Sequence, residues 1–190
     1  MVGARTAAAA GLACAAVAVS GCGGTAGPRK TGPSAPETAR ELRGSPPVLA
    51  ALHRHASRLL DIAAPGFRLR LRSLRGHPVV INKWASWCGP CRSEFPYFQR
   101  LGASLGKRVA FIGVDGNDND GDAKQFLREY PVPYPSYRDP EGELARVFEA
   151  NLAFPTTAFY DARGRLTFVH QGAYPSEAKL RQDIHRYAGI

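Results

Sequence analysis

The chain has 190 residues, 44% apolar and 22% charged, which suits one packed domain with extensions and excludes wholesale disorder. Its 25 basic and 16 acidic residues give a net charge of +9, with arginine outnumbering lysine 20 to 5, a bias that reads as composition rather than a phosphate-binding surface. No run of roughly 18 strongly apolar residues appears, which argues against a bilayer-spanning helix in the mature protein.

The N-terminus carries Arg5, then an uncharged apolar run over residues 7–19 that is mostly alanine. A positive start, a short apolar run and small residues make an export signal. The run closes on Val19-Ser20-Gly21-Cys22, which resembles the lipobox of bacterial lipoproteins. That resemblance implies a lipoprotein signal peptide over 1–21 and lipidation of Cys22. An ordinary signal peptide cleaved at a nearby small residue is the alternative. A diacyl anchor on Cys22 would hold the protein on the outer face of the cytoplasmic membrane. Cys14 leaves with the signal, so Cys88 and Cys91 are the thiols left in a compartment where disulfides persist. Residues 22–47 are Gly, Pro, Ser, Thr and charge, with Leu42 as the one large apolar residue, and read as a lipid-anchored flexible linker.

Val48, Leu49, Leu52, Ala56, Leu59 and Leu60 recur near helical spacing behind Pro47, predicting an N-terminal helix within 48–64. Phe67, Leu69 and Leu71 alternate with Arg68, Arg70 and Arg72, the period of a half-buried strand with its arginines in solvent. After a turn at His77-Pro78, Val79-Val80-Ile81 reads as a strand buried on both faces. A helix follows Cys91 through Phe95, Phe98 and Leu101, and residues 109–114 form another buried strand. The polar loop 115–122 leads into a helix over 123–130. Pro131, Pro133 and Pro135 forbid regular structure before the next helix, 141–149. Residues 156–160 and 166–170 read as strands joined at Asp161-Ala-Arg-Gly164, and Ser176 caps a closing helix to residue 187. The order implies an α/β domain with a mixed central sheet flanked by helices on both faces.

The chemistry lies in Trp87-Cys88-Gly89-Pro90-Cys91, where a buried strand ends and a helix begins. Two cysteines three apart at a helix start can close a disulfide within the first turn. Free N–H groups and the positive end of the helix dipole face the first sulfur and stabilise its thiolate. Cys88 is thus the attacking sulfur and Cys91 the more buried, resolving one. Pro90 fits the first turn, where its missing N–H is no loss. Half a zinc site is excluded because no second pair exists and no histidine lies at ligand spacing. The acidic loop fails a calcium-loop alignment, since Gly121 as sixth residue puts Gly116 first and Leu127 twelfth.

The stretch 79–91, Arg92-Ser-Glu-Phe-Pro96, Phe154-Pro-Thr-Thr157 and Tyr160-Asp-Ala-Arg-Gly164 resemble thioredoxin-fold oxidoreductases of the membrane-anchored TlpA/ResA-like family, over about residues 65–190. The resemblance implies a thioredoxin-like domain over 65–190 with an N-terminal helix and strand extension. It implies Pro155 as a cis-proline facing the disulfide, and Trp87, Gly89, Pro90, Phe154 and Thr156 as substrate-facing. Phe154 is either core packing or a hydrophobic gate toward the partner. Glu94 matches an acid near the family's active site, one turn beyond Cys91, able to exchange a proton with the resolving thiol. Thioredoxins carry an aspartate six residues before the first cysteine; Asn82 stands there and cannot accept a proton. Lys83 interrupts an apolar strand, either snorkelling, pairing with an acid or favouring the Cys88 thiolate. Similarity also suggests that Asp115 hydrogen-bonds the Trp87 indole.

The expected activity is an extracytoplasmic thiol–disulfide oxidoreductase that reduces disulfides of exported proteins, with cytochrome c maturation as the setting the resemblance implies. It needs no cofactor beyond the Cys88–Cys91 disulfide and no metal. Its expected partners are disulfide-containing exported proteins, a membrane thiol electron donor and, through the lipid anchor, the membrane surface. The alternatives are a disulfide-forming oxidase on the same fold and a lipoprotein binding Cu(I) through Cys88 and Cys91. Nucleic acid is not expected as a partner, because export removes it and residues 111–150 hold nine acids against four bases.

Overall fold

The computed structural model describes residues 1–3, 32–150 and 153–190. Residues 4–21 of the signal segment and Cys22 lie outside the described residues. No described helix is long and apolar enough to cross a membrane.

Six strands form one mixed sheet in the order β1-β4-β3-β2-β5-β6. They are β1 (Leu59–Leu60), β2 (Val79–Trp84), β3 (Ala110–Gly116), β4 (Ser136–Asp139), β5 (Thr156–Tyr160) and β6 (Leu166–Gln171). The first four run parallel, and β5 and β6 run antiparallel to their neighbours. The described helices are α1 (Ala35–Leu42), α2 (Pro47–His53), α3 (Ala64–Ser73), α4 (Gly89–Leu105), α5 (Asp120–Glu129), α6 (Glu143–Val147) and α7 (Glu177–Asp183), the last continued by a π-helical segment, Ile184–Gly189.

Alternation along β2 divides the core between the two sheet faces. Val80 and Trp84 join Phe95, Phe98 and Phe126 on one face. Val79 and Ile81 join Leu49, Phe67 and Phe148 on the other. Trp84 stacks on Phe126 at 4.9 Å and meets Phe95 edge-on at 5.3 Å, fixing the end of β2 against α4 and α5. β2 and β3 are buried along their whole length and mostly apolar, as a sheet covered on both faces requires.

Four expectations are corrected. The linker assigned to 22–47 contains α1, because Ser34 and Glu37 form a capping box: Glu37 N–H donates to Ser34 Oγ at 3.4 Å and Ser34 N–H to Glu37 Oε2 at 2.8 Å. Leu42 then packs on Gly106, so this helix belongs to the body. The helix placed within 48–64 is cut short at His53, and Leu59–Leu60 instead pairs with Ser136 and Tyr137, so the sheet begins before residue 65. The strand read at Phe67, Leu69 and Leu71 is α3: Phe67, Leu71 and Leu74 lie at helical spacing toward the core, and Leu69 stays 59% exposed. Finally, the three prolines do not exclude β4. Pro135 needs no N–H there, since its carbonyl accepts Gly113 N–H at 2.9 Å while Ser136 N–H reaches Arg58 O at 2.9 Å.

Candidate active site

The carboxyl end of β2 hands the chain through Ala85, Ser86 and Trp87 to α4, with Cys88 as its N-cap. Cys88 and Cys91 are joined, S–S 2.01 Å and Cα–Cα 5.3 Å. The Cys91 N–H donates to Cys88 Sγ at 3.1 Å, the first-turn contact that would stabilise a thiolate. Cys88 is 3% exposed and Cys91 fully buried, so an approaching partner meets Cys88 first. Gly89 and Pro90 are exposed beside them.

The loop before the disulfide is held from two sides. Ser86 donates its backbone N–H to the Asp118 carboxylate and its hydroxyl to Asp118 Oδ1 at 2.8 Å, and Arg92 Nη2 donates to Ser86 O at 2.7 Å. Trp87 remains 57% exposed with its indole N–H donating to Asn117 O at 2.9 Å. The acceptor is therefore a backbone carbonyl two residues beyond Asp115, not the Asp115 carboxylate.

Trp87 leans on Phe154 at 5.1 Å between ring centroids, and Lys83 Nζ sits 3.9 Å from the same ring while donating to Ala150 O at 2.8 Å. The stem of Lys83 is buried and its charge lies under an aromatic face; burial holds its pKa below the usual lysine range. Phe154 approaches Gly116 so closely that a Cβ there would lie 3.0 Å from the ring, which only glycine tolerates comfortably. The Phe154–Pro155 bond is cis, at the start of β5. Thr156 differs from the expectation that it faces a partner: it is fully buried and its hydroxyl donates inward to Ala153 O at 2.8 Å.

Beneath the disulfide, Glu94 is fully buried on α4. It accepts Asn82 Nδ2 at 2.8 Å and the Tyr174 backbone N–H at 3.0 Å. Burial pushes its pKa up to about 7 against the opposing pull of those two bonds. Asn82 thus does not replace a proton acceptor but orients one, and its Oδ1 has no hydrogen-bond partner among the described residues. Asp115, at the end of β3, is buried too, and burial followed by the nearby Asp118 charge pushes its pKa up to about 9.

Tyr174, Asp118, Asn117 and Ala150 went unseen in the sequence. Tyr174 lies 80 residues from Glu94 and contributes only backbone, so no motif could carry it. A cavity of about 570 Å³ lies between α1, α2 and Val132, away from these residues. The disulfide lies outside that cavity, beside the exposed Trp87, Gly89 and Pro90.

A family model described as the AhpC/TSA family matches residues 59–169. The thiol-disulfide oxidoreductase ResA of Oceanobacillus iheyensis is 33% identical over 126 residues, 58% of this chain and 64% of that protein, so the chain spans less than two thirds of its length. A thiol:disulfide interchange protein DsbE homolog of Paracoccus denitrificans is 36% identical over 136 residues, 69% of this chain and 73% of the relative. Among solved structures, Mycobacterium tuberculosis DsbF superposes with a TM-score of 0.56 at 31% identity, covering 61% of this chain and 84% of that one.

Proposed function

The chain belongs to the AhpC/TSA family, on its thioredoxin-like ResA/DsbE side, and from that premise we propose that it is an extracytoplasmic thiol–disulfide reductase of exported proteins. The observation that carries this reading is the Cys88–Cys91 disulfide at the start of α4, beside exposed Trp87 and the cis Phe154–Pro155 bond.

In the reduced protein the Cys88 thiolate attacks one sulfur of a substrate disulfide. The substrate S–S bond breaks, a mixed disulfide forms and one substrate thiolate departs. Cys91 then loses its proton, attacks Cys88 Sγ and releases the second substrate thiolate. Two electrons have passed to the substrate, and the two protons it gains come from water and from Cys91. Glu94, one turn along α4 and half-ionised near pH 7, takes the Cys91 proton and passes it on. Trp87, Gly89, Pro90 and Phe154 form the surface the substrate meets, and the backbone at Pro155 aligns it. A dithiol donor in the membrane restores the reduced pair. The signal at 1–21 and lipidation of Cys22 place the protein outside the cytoplasm, on the membrane that houses that donor. Cytochrome c maturation is the process whose cysteine pairs fit this chemistry.

Cys91→Ser is expected to trap mixed disulfides through Cys88, and Cys88→Ser to abolish turnover. Normal turnover in Cys88→Ser, with no trapped partner in Cys91→Ser, would overturn the reading.

A further inference from the structure

The parallel strands sort the charges of this domain by end. The carboxyl ends of β2, β3 and β4 and the loops leaving them form the disulfide end, which holds Asp118, Asp120, Asp139 and Glu141 together with Lys83, Arg92 and Arg138, while burial keeps Asp115 protonated. The opposite end, about 20 Å away along a six-residue strand, is basic. Arg75 lies just before β2, Lys107 and Arg108 just before β3, and Arg163 in the turn after β5. These segments are neighbours, because Ala110 N–H donates to Pro78 O at 2.9 Å and Gly76 N–H to Ala162 O at 2.8 Å. Helix α1 ends here as well, with Leu42 on Gly106, and adds Arg43. All five side chains are exposed and none is in an ion pair among the described residues. The acids at this end are Glu41, Glu149, which acts on Tyr160 opposite Val79, and Asp161, held by Arg165 at 2.7 Å. Arg68, Arg72, Arg75 and His77 also rim a cavity of about 220 Å³ that opens on this end.

We propose that this basic end is a docking surface for an anionic lipid bilayer, seated on phosphate headgroups with the disulfide turned away from the membrane. The proposal rests on the reading above that the protein works at a membrane face. Guanidinium groups pair with phosphate oxygens in a fork geometry, and each cation brought near an anionic leaflet raises partitioning by about fivefold. The disulfide end, where Lys83, Arg92 and Arg138 offset the carboxylates, carries no such excess of positive charge, so the difference between the two ends also sets orientation. Helix α1 packs on the body and brings Arg43 to the basic pole at its C-terminal end, while the segment that precedes it meets the domain at the other end of the helix, where Gly32 lies beside Gln99 of α4. A bilayer fits better than a polynucleotide, because the cations cap three strand ends and a helix end, and of the rings lining their cavity Tyr160 is buried and His77 half-buried, so no open aromatic platform is offered to a base.

The test uses the full chain with vesicles of phosphatidylcholine alone or mixed with phosphatidylglycerol. Insertion of the apolar N-terminal run is common to both, so the difference between them isolates the charge term. The mixed vesicles are expected to bind at least about tenfold more tightly at low salt, with the preference lost at high salt. Combined Arg75→Gln, Lys107→Gln, Arg108→Gln and Arg163→Gln should abolish the preference while leaving disulfide reduction in solution unchanged. The chain has two tryptophans, Trp84 and Trp87, both at the disulfide end, so brominated lipid should leave bound protein unquenched. Equal binding to both vesicles, an unchanged preference in the variant, quenching by brominated lipid, or binding to duplex DNA without binding to the mixed vesicles would each overturn the proposal. Loss of reductase activity would leave the vesicle result standing, so the two readings fail separately.

Discussion

Replacing Glu94 by Gln isolates the buried carboxyl beneath the disulfide. Glu94 is fully buried, and its pKa rises from 4.5 to about 7 in the folded protein. The folded state therefore binds this proton more tightly than the unfolded chain does. Below pH 4.5 both states hold it and nothing is lost; between 4.5 and about 7 the unfolded chain releases it first, so stability falls as pH rises. The full penalty, about 3 kcal/mol, is present above pH 7. Glutamine never ionises and so never incurs it. The substitution is tolerated sterically: Tyr174 N–H can donate to the new Oε1, and Asn82 Oδ1, unpartnered among the described residues, can accept the new amide after a flip of the Asn82 side chain. The amide then left unpaired on Asn82 costs about 1 kcal/mol at every pH and leaves the slope untouched. Denaturant unfolding of the oxidised protein from pH 4 to pH 8 should show wild type losing about 3 kcal/mol relative to Glu94→Gln. Parallel stability profiles would refute the assignment of that slope to Glu94. Under the same reasoning, the pH profile of kcat should carry an inflection near 7 in wild type that is absent from the variant.

Asp115→Asn should act in the same direction: the pKa rises from 3.8 to about 9 on folding, so the variant gains on wild type as pH increases and matches it near pH 4, read from the same unfolding series. Gly113→Ala would place a Cβ 2.1 Å from Ser136 Oγ, the acceptor of the Trp84 indole N–H, and is expected to cost about 1–3 kcal/mol by thermal or denaturant unfolding. An unchanged midpoint would show that β3 and β4 yield more readily than their contact implies.

The redox centre was legible because its chemistry is local. Strand-to-helix placement, the cysteine spacing and Pro90 all lie within seven residues, and the dipole at a helix start acts over one turn. Buried strands β2 and β3 were legible for a similar reason, since unbroken apolar runs admit few other readings. The errors fall where two patterns compete. Residues 67–72 satisfy a strand period over six positions, but Leu74, two residues beyond that window, completes a helical face with Phe67 and Leu71. Ser34 to Glu37 forms a capping box inside a segment whose composition suggests a tether. Strand β4 has no sequence run of its own and exists because its neighbours on both sides, β1 and β3, supply hydrogen-bond partners. Around the site, contacts such as Tyr174 N–H to Glu94 and Trp87 to Asn117 O use backbone groups, which carry no residue signature. Lys83 was visible as an anomaly in an apolar strand, but its place under the Phe154 ring depends on a loop 71 residues away.

The central claim is that Cys88 and Cys91 form a reducing pair. The most direct measurement is the reduction potential of the full chain equilibrated in glutathione or dithiothreitol buffers, with the two states separated by thiol alkylation. A value below about −220 mV is predicted, in the range of thioredoxin-like reductants that draw on a donor. A value above about −150 mV would contradict the account and make the protein an oxidant that forms disulfides in exported chains.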